Sequence, residues 1–402
     1  MAPVPDEELL KKQLTRMQGQ QFADNNINGK GVRIAVFDAG FPGVDKHEAF
    51  KHLRDGKKIL KTWDFVKNRE FVYAYSSHGT STLSCITGIY KGIPIGLATE
   101  SEFLLARTEM SNREPLSEEE NWLAAAEWAD KNGADIISSS LGYTYHRYFT
   151  KDMDGKKSLV TRAANMAASK GMLVINSAGN EGNTKWKFIG APADADSVLS
   201  IGGIAPESNY RISFSSYGPT ADKRMKPNVC AFGTAFVAGK VGFTTASGTS
   251  FSCPLISGFA ACAWQTHRNL TNMELFKEIE KSGDLYPYFD YAHGFGVPQA
   301  DYFIKCNTKS EISNIPPFTY EVKDGFLEVS ITGFPEEDTL NVITDEKEVL
   351  LYYNIQKPDN SLRFYYVIAV YSKKPLQIDL SKVPKGDKIN LFYKRHLETY
   401  QN

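Results

Sequence analysis

Residues Gly248–Pro254 read GTSFSCP and open a long apolar run, so this stretch predicts a tight turn followed by a buried helix. Ser250 lies in the first turn of that helix. Free backbone N–H groups and the positive end of the helix dipole can stabilise a developing oxyanion there. A serine hydroxyl is a poor nucleophile at neutral pH unless a base takes its proton. The stretch therefore indicates a nucleophile that needs a base from another part of the chain.

A candidate base and a group to orient it occur earlier in the sequence. His78 is followed by Gly79, which lets backbone approach the imidazole, and then by small residues that predict a buried helix. Asp38 ends the apolar run Val32–Phe37, which predicts a buried strand. Open α/β sheets place functional groups just past the carboxyl ends of their parallel strands. Asp38 and His78 are therefore candidates to activate Ser250.

A fourth candidate is Asn180. Residues 173–182 read LVINSAGNEG, which predicts a buried strand running into an asparagine flanked by glycines. A neutral amide donor held at such a rim suits a tetrahedral intermediate. Taken singly, the four residues have ordinary explanations: a turn aspartate, a core histidine, a turn amide and a helix N-cap. Their conjunction in one chain favours a shared catalytic role.

Strand and helix patterns alternate through most of the chain. The apolar strand segments are 32–37, 103–107, 134–139 and 173–176, and the helical segments are 121–131 and 159–170. A glycine just past each of these helices supplies the left-handed cap residue. This alternation predicts an α/β fold, with a mostly parallel sheet covered by helices on both faces. Before it, residues 7–23 predict one helix that packs near the first strand.

The pattern changes near Cys306. From Phe318 onward, apolar residues recur with period two between turn residues, which predicts a small antiparallel β-sandwich. We therefore place two domains in the chain. Residues 1–306 form the α/β domain with its N-terminal helix, and residues 307–402 form an accessory all-β domain.

Composition narrows the function further. The 402 residues carry 46 basic and 47 acidic side chains, so nothing favours nucleic acid or an anionic membrane as partner. No stretch is long and apolar enough for a membrane span, and the N-terminus shows no signal-peptide pattern. The five cysteines include no C-x-x-C pair, so zinc and redox motifs have no support. We expect buried thiols, Cys253 included.

These segments resemble the subtilisin-like serine proteases (subtilases) of the bacterial type, over residues 28–304. The chain order Asp, His, Ser is the subtilisin order. The resemblance implies a serine endopeptidase. In it Asp38 is the catalytic aspartate, His78 the general base, Ser250 the nucleophile and Asn180 the oxyanion-hole amide. A histidine with an ordinary pKa would make activity fall below about pH 6–7.

The resemblance also implies the substrate-binding segments. Ser140-Leu141-Gly142 resembles the strand that pairs with the substrate backbone, Ala178-Gly179 a wall of the primary specificity pocket, and Gly190 its floor. Because Gly190 at the predicted floor leaves room for a large side chain and Trp186 is a candidate lining residue, we expect an apolar side chain there. The substrate would be a protein or peptide, and the protein would be secreted, periplasmic or at the cell surface.

No cofactor is required for this chemistry, but structural calcium is possible because subtilases often bind it. Asp152-Met153-Asp154-Gly155 has the alternating carboxylates that suit a hard cation, although a solvated loop explains it as well. We assign no metal ligands.

Two departures from the family pattern leave alternatives open. Ala39 stands where the family usually has Ser or Thr, whose hydroxyl can bond the catalytic carboxylate, and Phe251-Ser252-Cys253 replaces the commoner Met-Ala-Ser. One alternative is a transpeptidase or macrocyclase that passes the acyl group to an amine. A second is a degenerate subtilase that acts as a binding module. A third gives the biological role to the β domain, through docking of protein or glycan.

Overall fold

The structure is a computed structural model, and it describes residues 6–110, 115–145, 147–304, 316–332, 350–370 and 374–402. The chain forms two compact units. The first consists of Met1–Asp284 with Tyr291–Cys306, and the second of Leu285–Asp290 with Asn307–Asn402. The sequence pattern predicts residues 285–290 within the α/β domain; in the structure they pack with the second unit.

The strands of the described residues, in chain order, are β1 (Arg33–Asp38), β2 (Ile59–Asp64), β3 (Ile89–Tyr90), β4 (Ile93–Pro94), β5 (Glu102–Arg107), β6 (Ile136–Ser139), β7 (Leu173–Ser177), β8 (Val198–Ile204), β9 (Val229–Phe232), β10 (Thr234–Ala238), β11 (Phe243–Ser247), β12 (Phe318–Lys323), β13 (Phe326–Ile331), β14 (Leu350–Gln356), β15 (Leu362–Ala369), β16 (Leu376–Asp379), β17 (Lys388–Tyr393) and β18 (His396–Gln401). The α-helices are α1 (Glu7–Thr15), α2 (Gly19–Asp24), α3 (Lys51–Asp55), α4 (His78–Thr87), α5 (Ser117–Lys131), α6 (Leu159–Ser169), α7 (Thr249–Thr266), α8 (Asn272–Lys281) and α9 (Ala300–Ile304).

The first unit is built on a seven-stranded parallel sheet in the order β2-β5-β1-β6-β7-β8-β9. From β1 the chain first builds outward on one side, to β2 and β5, and then crosses to β6 on the other. The boundary between β1 and β6 is therefore a topological switch point, where open α/β sheets bind ligands outside the carboxyl ends of their strands. The predicted parallel sheet is confirmed.

Apolar side chains cover both faces of this sheet. Successive residues of a strand point to opposite faces, and in β1 Ile34 and Val36 join one buried cluster while Phe37 joins another. Phe259 of α7 lies in the first cluster and Trp122 of α5 in the second. The ring of Trp122 meets that of Phe37 edge to face, with centroids 5.3 Å apart. This two-sided burial explains why the strands are apolar without alternation.

Helix α7 runs through the first cluster and is buried along nearly its whole length. Pro254 lies in its second turn. A proline has no backbone N–H, so the carbonyl four residues earlier loses its helical partner. That carbonyl belongs to Ser250.

The N-terminal region forms two helices rather than the single helix predicted over residues 7–23. The break falls at Gln18, whose φ of 55° lies in the left-handed region and cannot continue a helix. Helix α1 packs on β10 rather than near β1: Leu10 shares a buried cluster with Phe236. Gln13 fixes this contact, since its side chain accepts a hydrogen bond from the N–H of Phe236 at 2.9 Å.

The second unit has the predicted antiparallel strands. One sheet has the order β12-β13-β16 and the other β15-β14-β17-β18, and apolar residues from both form one buried cluster. The segment Leu285–Asp290 belongs to this unit: the ring of Tyr288 lies 5.7 Å from that of Phe392, and the side-chain amide of Asn354 donates to the carbonyl of Phe289 at 2.8 Å.

Candidate active site

The carboxyl ends of β1, β6 and β7 bring the predicted site segments together. These strands are neighbours in the sheet, and Asp38 is the last residue of β1. Ser140-Leu141-Gly142 follows β6 directly, and Ala178-Gly179-Asn180 follows β7. The site therefore lies at the switch point between β1 and β6 and on the neighbouring strand end.

Asp38 and His78 form a hydrogen-bonded pair. Helix α4 begins at His78, whose Nδ1 lies 2.9 Å from Asp38 Oδ1 and 3.0 Å from Oδ2. Asp38 is fully buried, whereas 31% of the His78 side chain is exposed. Gly79 permits this close approach, because a Cβ there would overlap the carbonyl of Gly40 and lie 2.9 Å from Asp38 Cβ. The imidazole is thus held from one side and open on the other.

Two further donors reach the Asp38 carboxylate. The backbone N–H of Ala39 donates to Oδ1 at 2.7 Å, and the hydroxyl of Thr82 lies 3.0 Å from Oδ2. The missing hydroxyl at Ala39 is evident from the sequence, but its counterpart at Thr82 was not predicted. A signal was present, because Thr82 follows His78 by four residues, the spacing that puts two side chains on one face of a helix.

The pair changes the protonation of His78. Burial lowers the pKa of the imidazole, but the charge of Asp38 and its hydrogen bond, with a smaller contribution from the charge of Glu109, outweigh that effect and raise the pKa of His78 to about 9. The imidazole must be neutral to accept a proton. The pH below which activity falls is therefore expected well above the 6–7 that an ordinary histidine predicts.

Ser250 and Ser140 are linked by two reciprocal contacts. The Ser140 hydroxyl donates to the Ser250 carbonyl at 2.9 Å, the carbonyl that Pro254 leaves without a helical partner. The Ser250 hydroxyl in turn donates to the Ser140 carbonyl at 3.3 Å. The contacts fix the start of α7 against the end of β6 and turn the Ser250 hydroxyl toward the segment predicted to pair with substrate.

The side chains of His78 and Ser250, both of which the structure describes, do not hydrogen-bond to each other: His78 Nδ1 pairs with Asp38, and the Ser250 hydroxyl donates to the Ser140 carbonyl. Phe251, the residue after Ser250, has its ring 5.8 Å from the imidazole. Catalytic hydrogen bonds are often long or unformed before substrate binds. For the Ser250 hydroxyl to donate to any other acceptor, it must first leave the Ser140 carbonyl.

The Asn180 side chain is oriented by Thr249. Its Oδ1 accepts hydrogen bonds from the N–H of Thr249 at 2.8 Å and from the Thr249 hydroxyl at 3.0 Å. Because Oδ1 faces these two donors, Nδ2 faces away from them. A Cβ built on Gly248 would lie 3.5 Å from Asn180 Nδ2 and 3.7 Å from the backbone nitrogen of Ser250. Both donors thus border the same small space, which only a glycine leaves open.

Backbone hydrogen bonds connect the predicted pocket segments. Gly190 N–H donates to the Ala178 carbonyl at 3.4 Å, and Tyr143 N–H donates to the Ala191 carbonyl at 2.8 Å. A Cβ on Gly190 would lie 2.9 Å from the Thr144 methyl carbon, so Thr144 limits the space at the predicted floor. Trp186, a candidate lining residue, is almost fully buried in the second apolar cluster.

Four cysteines of the described residues are buried: Cys85, Cys230, Cys253 and Cys262. Burial raises the pKa of the Cys253 thiol to about 12, although hydrogen bonds from neighbouring serines oppose the shift. A thiol in that state is not a nucleophile at neutral pH. Cys306 lies outside the described residues.

The candidate cation loop is held by its own backbone. Asp154 Oδ1 accepts the N–H groups of Lys156 and Lys157, and Asp152 Oδ2 accepts that of Phe149. Among the residues that the structure describes, no group of three or more His, Cys, Asp or Glu side chains could hold a metal ion. Within the same residues, no helix is long and apolar enough to cross a membrane.

A parallel sheet with an aspartate–histidine pair at its carboxyl edge, and a serine at the N-terminus of a buried helix, is the arrangement typical of α/β serine hydrolases. The model of the subtilase family matches residues 29–296. The chain belongs to the subtilase family of serine proteases, and the predicted resemblance is confirmed.

Individual relatives are distant. Subtilisin NAT from Bacillus subtilis subsp. natto is 28% identical over 273 residues, which are 67% of this chain and 65% of that protein. The chain therefore spans slightly less than two thirds of this relative. Subtilisin from Bacillus pumilus is 28% identical over 273 residues, or 90% of its length. Among solved structures, sphericase superposes with a TM-score of 0.57 at 23% identity, covering 68% of this chain and 92% of its own, which supports the fold.

Proposed function

We propose that the protein is a serine endopeptidase that forms an acyl-enzyme on Ser250. The observation that carries the proposal is the Asp38–His78 pair at the carboxyl edge of the sheet, beside the helix N-terminus that bears Ser250. Membership of the subtilase family supports the same reaction.

In the first half of the reaction, Ser250 Oγ leaves the Ser140 carbonyl and attacks a peptide carbonyl while His78 Nε2 takes its proton. Asp38 accepts the Nδ1–H, fixes the tautomer and stabilises the imidazolium. Asn180 Nδ2 and the Ser250 N–H donate to the oxyanion. The tetrahedral intermediate collapses as His78 protonates the leaving amine, which leaves an ester on Ser250.

In the second half, His78 takes a proton from a water molecule that attacks the ester carbonyl. The second tetrahedral intermediate uses the same two donors, and its collapse returns the proton from His78 to Ser250 Oγ. The products are two peptides with new termini. This chemistry draws on side chains and backbone groups alone.

The substrate would bind as an extended strand along Ser140-Leu141-Gly142, because strand addition uses backbone hydrogen bonds and tolerates many sequences. Ala178-Gly179 and Gly190 would border the side chain on the acyl side of the cleaved bond. Since the Thr144 methyl group occupies space beside Gly190, we expect that side chain to be small and apolar.

Two alternatives make different predictions. The degenerate binding module rests on Ala39, but the Thr82 hydroxyl lies 3.0 Å from the same carboxylate, which favours a working aspartate–histidine pair. A transpeptidase or macrocyclase would use the same acyl-enzyme but pass it to an amine. Mass spectrometry of products separates the cases, because hydrolysis gives new termini and transfer gives ligated or cyclic peptides.

The test is labelling by a fluorophosphonate probe in wild type and in Ser250→Ala, with a peptide library in parallel. Ser252→Ala is the matched control, since Ser252 is also buried in α7 and its hydroxyl donates to the Phe232 carbonyl. We expect labelling and cleavage in wild type and Ser252→Ala, and neither in Ser250→Ala. Labelling that survives Ser250→Ala would place the nucleophile elsewhere.

The proposal includes a secreted, periplasmic or cell-surface location, which rests on family membership alone. Fractionation of the native host followed by immunoblotting tests it directly. Recovery of the protein only inside the cell would contradict this part and leave the chemistry unaffected.

A further inference from the structure

The hydroxyl of Thr82 lies beneath the aspartate–histidine pair. Thr82 is in α4, four residues after His78, and is almost fully buried. Its Oγ1 lies 3.0 Å from Asp38 Oδ2 and 3.1 Å from the carbonyl of Gly79. A hydroxyl has one proton to donate. The carboxylate is the stronger acceptor because it is charged, and a helix carbonyl already has an N–H partner four residues later. The proton therefore goes to Asp38.

The remaining contacts of Asp38 show why this donor matters. Oδ1 has two partners, the Ala39 N–H at 2.7 Å and His78 Nδ1 at 2.9 Å. Oδ2 faces His78 Nδ1 at 3.0 Å and Thr82. Among the residues that the structure describes, loss of Thr82 would leave Oδ2 of this fully buried carboxylate with only the imidazole proton that it shares with Oδ1. Burying a charged carboxylate with an unfilled acceptor site costs free energy. The carboxylate would also be free to rotate toward other donors.

We propose that Thr82 is a positioning residue, whose hydroxyl holds the Asp38 carboxylate in the orientation that accepts the His78 Nδ1–H. It replaces the hydroxyl that Ala39 lacks. The inference rests on the proposed function, since it assigns a role within the same reaction. It also predicts that the two positions are interchangeable: a hydroxyl at residue 39 should compensate for its loss at residue 82.

The kinetic test uses Thr82→Val, which keeps the shape and removes the hydroxyl. We expect kcat to fall about tenfold, the loss that one hydrogen bond to a charged group would cause, with KM little changed. Thr82→Ser should retain wild-type kcat, and Ala39→Ser should restore most of the kcat lost in Thr82→Val. Thr80→Val is the matched control, because Thr80 is buried in the same helix and its hydroxyl donates to the Pro42 carbonyl at 2.8 Å.

A second readout does not depend on turnover. In Ser250→Ala protein, the downfield proton resonance of His78 Nδ1–H reports the hydrogen bond to Asp38. We expect Thr82→Val to shift and broaden this resonance and Thr80→Val to leave it unchanged. If Thr82→Val fails to fold, Thr82→Ala is measured in its place.

The outcomes separate the two proposals. If Thr82→Val lowers the melting temperature as Thr80→Val does but leaves kcat and the resonance at their wild-type values, Thr82 has a packing role only and the inference is overturned. Failure of Ala39→Ser to restore kcat in the double variant would also contradict it. If the wild type neither reacts with the probe nor cleaves peptides, yet the resonance shifts in Thr82→Val, the proposed function fails and the positioning role of Thr82 stands.

Discussion

The pH dependence of peptide cleavage gives the sharpest test of the site. Only the neutral imidazole of His78 can accept the serine proton, and the charge of Asp38 raises the pKa of His78 to about 9 against the effect of burial. At pH 7, about two units below such a pKa, roughly one molecule in a hundred has the base in its reactive form. We therefore expect kcat/KM to rise about tenfold per unit between pH 7 and pH 8, and to level off above pH 9.

The assay is the second-order rate constant for cleavage of an uncharged peptide from pH 6 to pH 10.5 at constant ionic strength. Inactivation by an uncharged fluorophosphonate provides an independent measure of the same ionisation. The matched variant is Asp38→Asn, which removes the charge and leaves burial, so the midpoint should move below the ordinary value of about 6.5. A wild-type midpoint at or below 6.5 would refute the reasoning, because burial would then outweigh the attraction of Asp38.

The same ionisation also affects the stability of the folded protein. Its stabilising contribution falls as pH rises, whereas the expected activity rises. Because the folded-state pKa of His78 is raised, the pair contributes fully below the unfolded value of about 6.5 and loses its contribution as pH rises toward about 9. The contribution is at most roughly 3–4 kcal/mol, since a tenfold change in proton affinity corresponds to about 1.4 kcal/mol. Urea unfolding of Ser250→Ala with and without His78→Gln, at pH 6 and pH 9, measures it. Equal differences at the two pH values would count against the raised pKa.

Three further predictions concern single residues at or near the candidate site. Asn180→Ala should lower kcat by about 10²–10³, the loss that removal of the corresponding amide causes in subtilisin, with little change in KM; steady-state kinetics would expose a smaller role if kcat hardly fell. Cys253 should resist iodoacetamide at pH 8 in the folded protein and react in urea, as seen by peptide mapping; alkylation without unfolding would mean the thiol is accessible. Thr144→Ala should widen the pocket and raise kcat/KM for large apolar side chains relative to alanine in a peptide library, whereas an unchanged profile would place the pocket floor elsewhere.

Much of this site could be predicted from the sequence because its parts are carried by short local patterns. A strand that ends in Asp38, a helix that starts at His78 and a serine before an apolar helix are each visible within a short stretch of residues. Parallel strands then bring their carboxyl ends to one edge, so the topology does the assembly. The strand patterns therefore predict that these segments meet at that edge of the sheet.

The features that could not be predicted are long-range or depend on side-chain direction. The reciprocal contact between Ser140 and Ser250 joins residues 110 positions apart. The helix breaks at Gln18, although the sequence pattern stays apolar on one face across it. The periodicity of apolar residues does not reveal that one residue adopts a left-handed conformation. The sequence shows that Thr82 lies on the same helix face as His78. It does not show that Thr82 donates to Asp38, since that depends on the direction of one hydroxyl.

The course of the chain through the second unit has a practical consequence for protein engineering. The segment Leu285–Asp290 is supplied by a loop before the chain returns to complete the first unit, and Tyr288 lies between aromatic side chains that come from beyond residue 350. A stop codon after Cys306 would remove the packing partners of this segment and expose its apolar side chains to water. Loss of cleavage in such a shortened protein would then reflect misfolding or aggregation caused by the exposed segment. A variant that contains the first unit alone should therefore also replace residues Leu285–Asp290.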